Sequence, residues 1–234
     1  MKNFSIFAAA LIFLSSCNVI TGNGNIRTEK RNTGNFHAVR TSGSIDIEIG
    51  NGSAYSVSVE DDDNVLPYIV TEVSNGTLNV HYQDATSINN DHVKVYITAP
   101  SLDKLSTSGS ADIIIKDQLK NAQGIEMNVS GSGNIKGEVD APSVSVDITG
   151  SGNVDLKGRT KDFECTVTGS GDVNCGGLQS ENATVKIMGS GNAHVFASVH
   201  LSASSFGSGD IYYGGNPSNP EIHTAGSGSV QPEK

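Results

Sequence analysis

The chain has 234 residues, and its 15 Lys and Arg against 25 Asp and Glu give a formal net charge of −10. That balance excludes nucleic acid as the main partner, because phosphate backbones demand a basic face. With 27 glycines, three cysteines and no tryptophan, the composition favours tight turns and small side chains and weakens any carbohydrate site built on ring stacking.

The first residues, MKNFSIFAAALIFLSSC, place one cation, Lys2, before an apolar run from Phe4 to Leu14. This is the pattern of a secretory signal, too short to span a bilayer as a helix. Leu14-Ser15-Ser16-Cys17 also resembles the lipobox of bacterial lipoproteins. Residues 1–16 therefore read as a lipoprotein signal peptide, and Cys17 as the lipidated residue that anchors the chain to a membrane. Loss of Lys2 leaves 14 Lys and Arg against 25 acids, a net charge of −11. An acidic body on a lipid anchor reads as a domain held near a membrane without lying flat on it. Residues 17–35 are polar and predict a flexible tether.

Residues 36–107 predict an N-terminal β-rich part. Ile45–Ile49 and Tyr55–Val59 alternate with period two on either side of Gly50-Asn51-Gly52-Ser53 and predict a hairpin. Ile69–Val73 and Leu78–Tyr82, on either side of Ser74-Asn75-Gly76-Thr77, predict a second. The run Glu60-Asp61-Asp62-Asp63 reads as an acidic loop before Asn64, which would cap a short turn over Val65–Ile69; calcium is the less favoured reading. Val93–Ile97 adds a further strand. The whole part is placed to cover an open strand edge at one end of the repeats that occupy the rest of the chain.

Residues 108–230 are repetitive. Clean GSG triplets begin at Gly131, Gly150, Gly169, Gly189, Gly207 and Gly226, at intervals of 19, 19, 20, 18 and 19 residues, and SGSID at 42–46 and SGSAD at 108–112 are looser early forms. Linkers keep no such count. Two, four and six residues before a triplet the side chains are mostly apolar, as in Val129, Met127 and Ile125 or Ile148, Val146 and Val144, while the odd positions are mostly polar. Period two means strand, with the even positions facing a core. A repeat this short cannot hold a βαβ unit of ~30 residues, and the ladder of a leucine-rich repeat is missing. What remains is a parallel β-solenoid with one coil per repeat, each rising by ~4.8 Å. The triplets are its corners, where stacked backbones leave no room for side chains and glycine supplies positive φ. Three residues after the first glycine stand Asn134, Asn153, Asp172, Asn192 and Asp210, which read as a ladder of turn residues in preference to half of a calcium-binding nonapeptide.

Motifs for chemistry are weak. GSGN lacks the third glycine of G-x-G-x-x-G and a helix after it, and no serine sits in G-x-S-x-G. Arg159, Lys161 and Glu164 form the densest mixed-charge group of the repeats and the best candidate for lyase-like acid–base chemistry, but read as solvated loop charge. His37, His81, His92, His194, His200 and His223 show no metal-binding spacing, so neither catalytic residues, nor a metal, nor a cofactor is expected. Tyr212, Phe196 and Phe206 are the candidate exposed aromatics. For Cys165 and Cys175 a disulfide and two buried free thiols both fit.

In order, FHAVRTSGSIDIEI, DNVLPYIVTEVSNGTLNV, VKVYITAPSLDKLSTSGSADI and the GSGN/GSGD repeats behind a lipobox resemble the putative auto-transporter adhesin, head GIN domain family, over essentially the whole mature chain. The resemblance implies an all-β, right-handed parallel β-helix akin to pectin-lyase architectures, found in secreted or lipid-anchored envelope proteins of Gram-negative bacteria, and supplies no catalytic residue. The leading expectation is a non-enzymatic, lipid-anchored envelope protein, an outer-membrane lipoprotein facing the surface or the periplasm. Its rigid solenoid would serve as an adhesin or scaffold for a surface, glycan or protein ligand. A polysaccharide-binding or polysaccharide-processing protein and a purely structural envelope component are the alternatives.

Overall fold

The computed structural model describes residues 18–84, 86–89 and 92–233; the predicted signal segment and Cys17 lie outside them. Two strands precede the first corner, β1 (Asn18–Thr21) and β2 (Ile26–Arg31). β3 (Ala38–Gly43) enters that corner and β4 (Asp46–Asn51) leaves it. An insertion comes next, with β5 (Ser56–Asp62), a 3-10 turn (Leu66–Tyr68), β6 (Ile69–Ser74), β7 (Thr77–Tyr82), β8 (Thr86–Asn89) and β9 (Lys94–Ala99). Corners then succeed one another, through β10 (Lys104–Gly109), β11 (Ile113–Lys120) and β12 (Ile125–Gly131). Three long strands each leave one corner and enter the next: β13 (Ile135–Gly150), β14 (Val154–Gly169) and β15 (Val173–Gly189). β16 (Ala193–Phe196), β17 (His200–Gly207), β18 (Ile211–Gly214), β19 (Glu221–Gly226) and β20 (Val230–Pro232) complete the stack.

Each segment entering a corner pairs in parallel with the segment entering the next, and the corner glycines align from Gly43 through Gly109, Gly131, Gly150, Gly169, Gly189 and Gly207 to Gly226. These segments make one wall, the entry wall. Segments leaving the corners stack likewise into an exit wall, from β4 through β11 to β20. The fold is the parallel β-solenoid that the repeat predicts. Between the walls lie the apolar columns, Val39, Leu105, Met127, Val146, Cys165, Val185 and Ala203 in one and Ile47, Ile113, Ile135, Val154, Val173, Ala193 and Ile211 in another, all buried. Full burial of a Val, Ile or Leu side chain is worth ~1.5–3 kcal/mol, so every coil is held by its own short row of core contacts.

Both glycines of a triplet are hemmed in by the coil beneath, and the first is fixed by its backbone as well. Gly150 adopts φ +124°, which only glycine reaches without strain, and a Cβ on it would fall 2.4 Å from the Gly131 carbonyl oxygen; at Gly152 a Cβ would fall 2.1 Å from the Gly133 carbonyl oxygen and 2.5 Å from Val129 Cγ1. The second glycine is therefore packed by the branched residue that precedes the corner of the coil beneath. Where that inward residue is a hydroxyl, it also bonds to its own corner: Thr41 Oγ1 donates to the Ile45 carbonyl, Thr107 Oγ1 to Ala111 and Ser205 Oγ to Gly209, at 2.8, 2.8 and 2.6 Å. Buried hydroxyls in the core columns are thus satisfied locally.

The N-terminal part departs from the sequence expectation at several points. Residues 38–51 belong to the solenoid itself. β3 lies between β7 and β10, and β4 between β9 and β11, so the first coil in the chain is flanked on both sides. Its outer neighbour is built by the insertion and closed by antiparallel strands, β6 on β7 and then β5 and β2 beyond β9. The predicted hairpin of β4 with β5 does not form: both pair with β9, in opposite senses. Alternation specifies which face a residue takes, and both edges of β4 are already occupied by coils. The second hairpin does form, with Asn75 and Gly76 at φ +50° and +75°, the signature of a tight two-residue turn.

The tether predicted for residues 17–35 is, over residues 18–31, largely strand. β1 pairs in parallel with β8, and β2 pairs antiparallel with β5. β2 is exposed along almost its whole length, so backbone pairing places it and leaves no apolar signature to read. The acidic run is also no loop, since Glu60, Asp61 and Asp62 end β5. Nor does Asn64 cap the 3-10 turn, whose N-cap is Val65; its Oδ1 accepts the Asn23 N–H and its Nδ2 donates to the Thr21 carbonyl.

Candidate binding site along the corner ladder

Immediately after each corner the chain places one short polar residue, and these residues stack in a continuous ladder: Asp46, Asp112, Asn134, Asn153, Asp172, Asn192, Asp210 and Ser229. Each side-chain Oδ1 accepts the backbone N–H of the next rung, at 2.9 Å from Asp112 to Asp46, 2.9 Å from Asn134, 3.0 Å from Asn153, 2.9 Å from Asp172, 2.7 Å from Asn192, 3.1 Å from Asp210 and 2.8 Å from Ser229. Asn134, Asn153 and Asn192 also donate Nδ2–H to the same oxygen below, and Ser229 its hydroxyl. Only Asp46 and Asp112 are adjacent carboxylates. From Asp112 onward an amide separates each acid from the next, which keeps like charges more than one ~4.8 Å rung apart. Two bonds from Ser229 hold the Asp210 carboxyl below the ordinary aspartate range.

Two residues further along the exit wall runs an outward column, Ile114, Lys136, Asp155, Asn174, His194 and Tyr212. Ladder and column bound two hollows, ≈ 410 Å³ from Asp112 to Asn174 and ≈ 400 Å³ from Asp172 to Tyr212, which share Asp172 and Asn174. They form one trough along the rod, lined by carboxylates, amides and one stacked ring pair. His194 lies on Tyr212 with ring centres 4.7 Å apart and planes at 16°. Its Nδ1 faces Glu233 Oε1 at 3.1 Å, and Lys136 Nζ meets Asp155 Oδ2 at 3.4 Å. The trough offers a carboxylate or amide on each coil from Asp112 to Asp210, with Lys136, Asn174 and Tyr212 as donors beside them, the chemistry that holds hydroxyl-rich ligands.

The other predicted residues are dispersed. Arg159, Lys161 and Glu164 lie on β14 instead of a loop, and Arg159 is drawn away to Asp140 Oδ2 at 2.9 Å. Asp61 and Asp62 are buried, whereas Asp63 binds Arg27 and Glu60 accepts the Tyr96 hydroxyl. Among the described residues no three His, Cys, Asp or Glu side chains gather where they could hold a metal. Phe196 and Tyr212 are half-buried, Phe206 is exposed beneath Lys186 Nζ at 5.9 Å, and His200 and His223 stand apart from the trough. Cys165 and Cys175 are free thiols inside the core, where burial pushes the Cys175 thiol up to about 12 and the Cys165 thiol well above its usual value. The ladder was visible in the sequence; the outward column beside it carries mixed residue types, and only a count of positions beyond each corner could have marked it.

A β-solenoid with a laddered polar corner defines the class of this protein. The chain belongs to the putative auto-transporter adhesin, head GIN domain family, whose model matches residues 35–217. Solved structures share the fold. A putative adhesin from Bacteroides fragilis NCTC 9343 is 20% identical, with a TM-score of 0.86 over 92% of this chain and 100% of that one. A putative lipid binding protein from Parabacteroides distasonis ATCC 8503 is 28% identical, with a TM-score of 0.79 over 93% and 100%, and a putative adhesin from Parabacteroides merdae ATCC 43184 is 23% identical, with 0.73 over 92% and 99%. No curated protein matches the sequence.

Proposed function

We propose that this protein is a non-enzymatic, lipid-anchored adhesin of the cell envelope that binds an extended, hydroxyl-rich polymer along the corner trough. The observation that carries the reading is the trough itself, which presents a carboxylate or amide at the same place on each successive coil and so matches a ligand that also repeats. Membership of an adhesin-type family supports a surface or envelope setting, and Cys17 in its lipobox-like context supports the anchor. Purified protein titrated with linear neutral polysaccharides is expected to bind, and Asn174→Trp, which fills the trough from an exposed position, to weaken binding about tenfold, ~1.4 kcal/mol. Unchanged affinity in that variant removes the trough from the account, and the appearance of new chain ends during incubation would make the protein a polysaccharide-processing enzyme. In cells, Cys17→Ser is expected to move the protein from the membrane to the soluble fraction; retention at the membrane would rule out the anchor.

A further inference from the structure

On the entry wall, away from the trough, the capping hairpin leaves a second hollow. β7, β3 and β10 lie side by side there, with Arg40 opposite Asn79 on one flank and Ser106 on the other, and Ala38 opposite Thr77 and Lys104. Ala38, 2% exposed, lies at the base of a pocket of ≈ 380 Å³ whose walls are Arg40, Lys104, Asn79, Asn75, Thr77 and Ser106. That is within the ~300–1,000 Å³ of small-ligand clefts. Beyond Arg40 the hollow continues for ≈ 260 Å³ toward Ser42, Glu72 and His81.

The charges make this place unusual in an acidic molecule. Of the four arginines, Arg27, Arg31 and Arg159 each face a carboxylate at 3.4, 3.5 and 2.9 Å. The Arg40 side chain makes no hydrogen bond or ion pair among the described residues. Its exposed guanidinium stands over the pocket with all its donors free, a fork suited to an oxoanion. Lys104 Nζ is held by Glu126 Oε1 at 2.7 Å, so its charge is offset and Arg40 sets the sign of the pocket. Amides and hydroxyls supply most of the remaining lining.

From this we infer that the pocket on β7, β3 and β10 binds one carboxylated sugar residue, with Arg40 on the carboxylate and Asn79, Thr77 and Ser106 on ring hydroxyls. The site is separate from the trough and stands whether or not the trough binds a polymer. Calorimetric titration of the purified full-length protein with glucuronate, glucose and sulfate tests it. Glucuronate is expected to bind saturably and more weakly as salt is added, with glucose and sulfate each about tenfold weaker. Arg40→Gln, at an exposed position without partners, is expected to fold normally by circular dichroism and to bind glucuronate about tenfold more weakly, while Arg159→Gln binds as the native protein does. The assignment is overturned if glucuronate does not bind, if glucose binds equally, if sulfate binds equally and so reads charge alone, or if Arg40→Gln changes nothing.

Discussion

Gly152 shows how narrow the tolerance of a corner is. A side chain at this position meets backbone, the Gly133 carbonyl, which cannot turn aside as a rotamer can. Gly152→Val is expected to cost about 3 kcal/mol and to lower the melting temperature by roughly 6–12 °C for a chain of this size; Ser151→Ala, on the exposed residue beside it, is expected to stay within about 0.5 kcal/mol. Equal melting curves for native and Gly152→Val protein would disprove the close stacking. The ladder predicts two pH dependences of opposite sign. Asp210 has a lowered folded pKa because Ser229 donates to it, so its contribution is complete above the ordinary aspartate value and disappears as pH falls through the folded one; Ser229→Ala should bring its NMR titration back toward ordinary. Asn153→Asp does the reverse. It removes the donor to Asn134 and sets a new carboxyl beside Asp172, which raises that carboxyl's folded pKa. The variant should be destabilised near neutral pH and recover as the solution is acidified. In the core, thiols raised by burial react slowly because the thiolate is the nucleophile. Cys165 and Cys175 should therefore resist iodoacetamide at pH 8 until the protein is unfolded, and rapid native labelling would contradict their burial.

At the scale of elements, the hairpin of β6 and β7 closes the insertion over the first coil. Gly76 has φ +75°, and a Cβ on it would fall 2.4 Å from His37 Nε2. Gly76→Ala is expected to cost about 1–2 kcal/mol and to release amide protection in β6 and β7 before the coils, as read by hydrogen exchange; uniform loss across the rod would show that the cap is not a separate unit. Elements differed in how far they could be read from sequence. The coils from β12 to β18 were legible because each residue's inward or outward place repeats at a fixed count, and the Asn75-Gly76 turn because its backbone demands those residues. Strand partners in the insertion were not, since β4 and β5 alternate correctly yet pair with β9. The same limit hid the pocket at Arg40: Asn79 and Lys104 reach it only because the insertion brings β7 to one edge of β3 and β10 to the other. The long-range register that assembles that site has no local signature.

Over the whole molecule, each coil touches only its neighbours, so stability is close to a sum along one dimension. The two ends are built differently. Antiparallel strands β2, β5 and β6 cover the N-terminal end, whereas β19 is exposed throughout, pairs only with β17 among the described residues, and leaves Ile222 40% exposed. An open edge of this sort invites pairing unless polarity discourages it, and Pro232 and Glu233 stand beside it on β20 and in the tail. The last coil therefore contributes least and should open first. Amides of β19 and β20 are expected to exchange fastest and those of β14, enclosed by β13 and β15, slowest. Truncation after Gly214 removes that coil and transfers its role to β17 and β18, whose inward Ala203, Ser205 and Ile211 are buried. The shortened protein is expected to keep its β circular dichroism and to melt a few degrees lower, roughly 2–4 °C for each kcal/mol lost. Complete unfolding on this truncation would show instead that the rod folds as one cooperative unit from cap to tail.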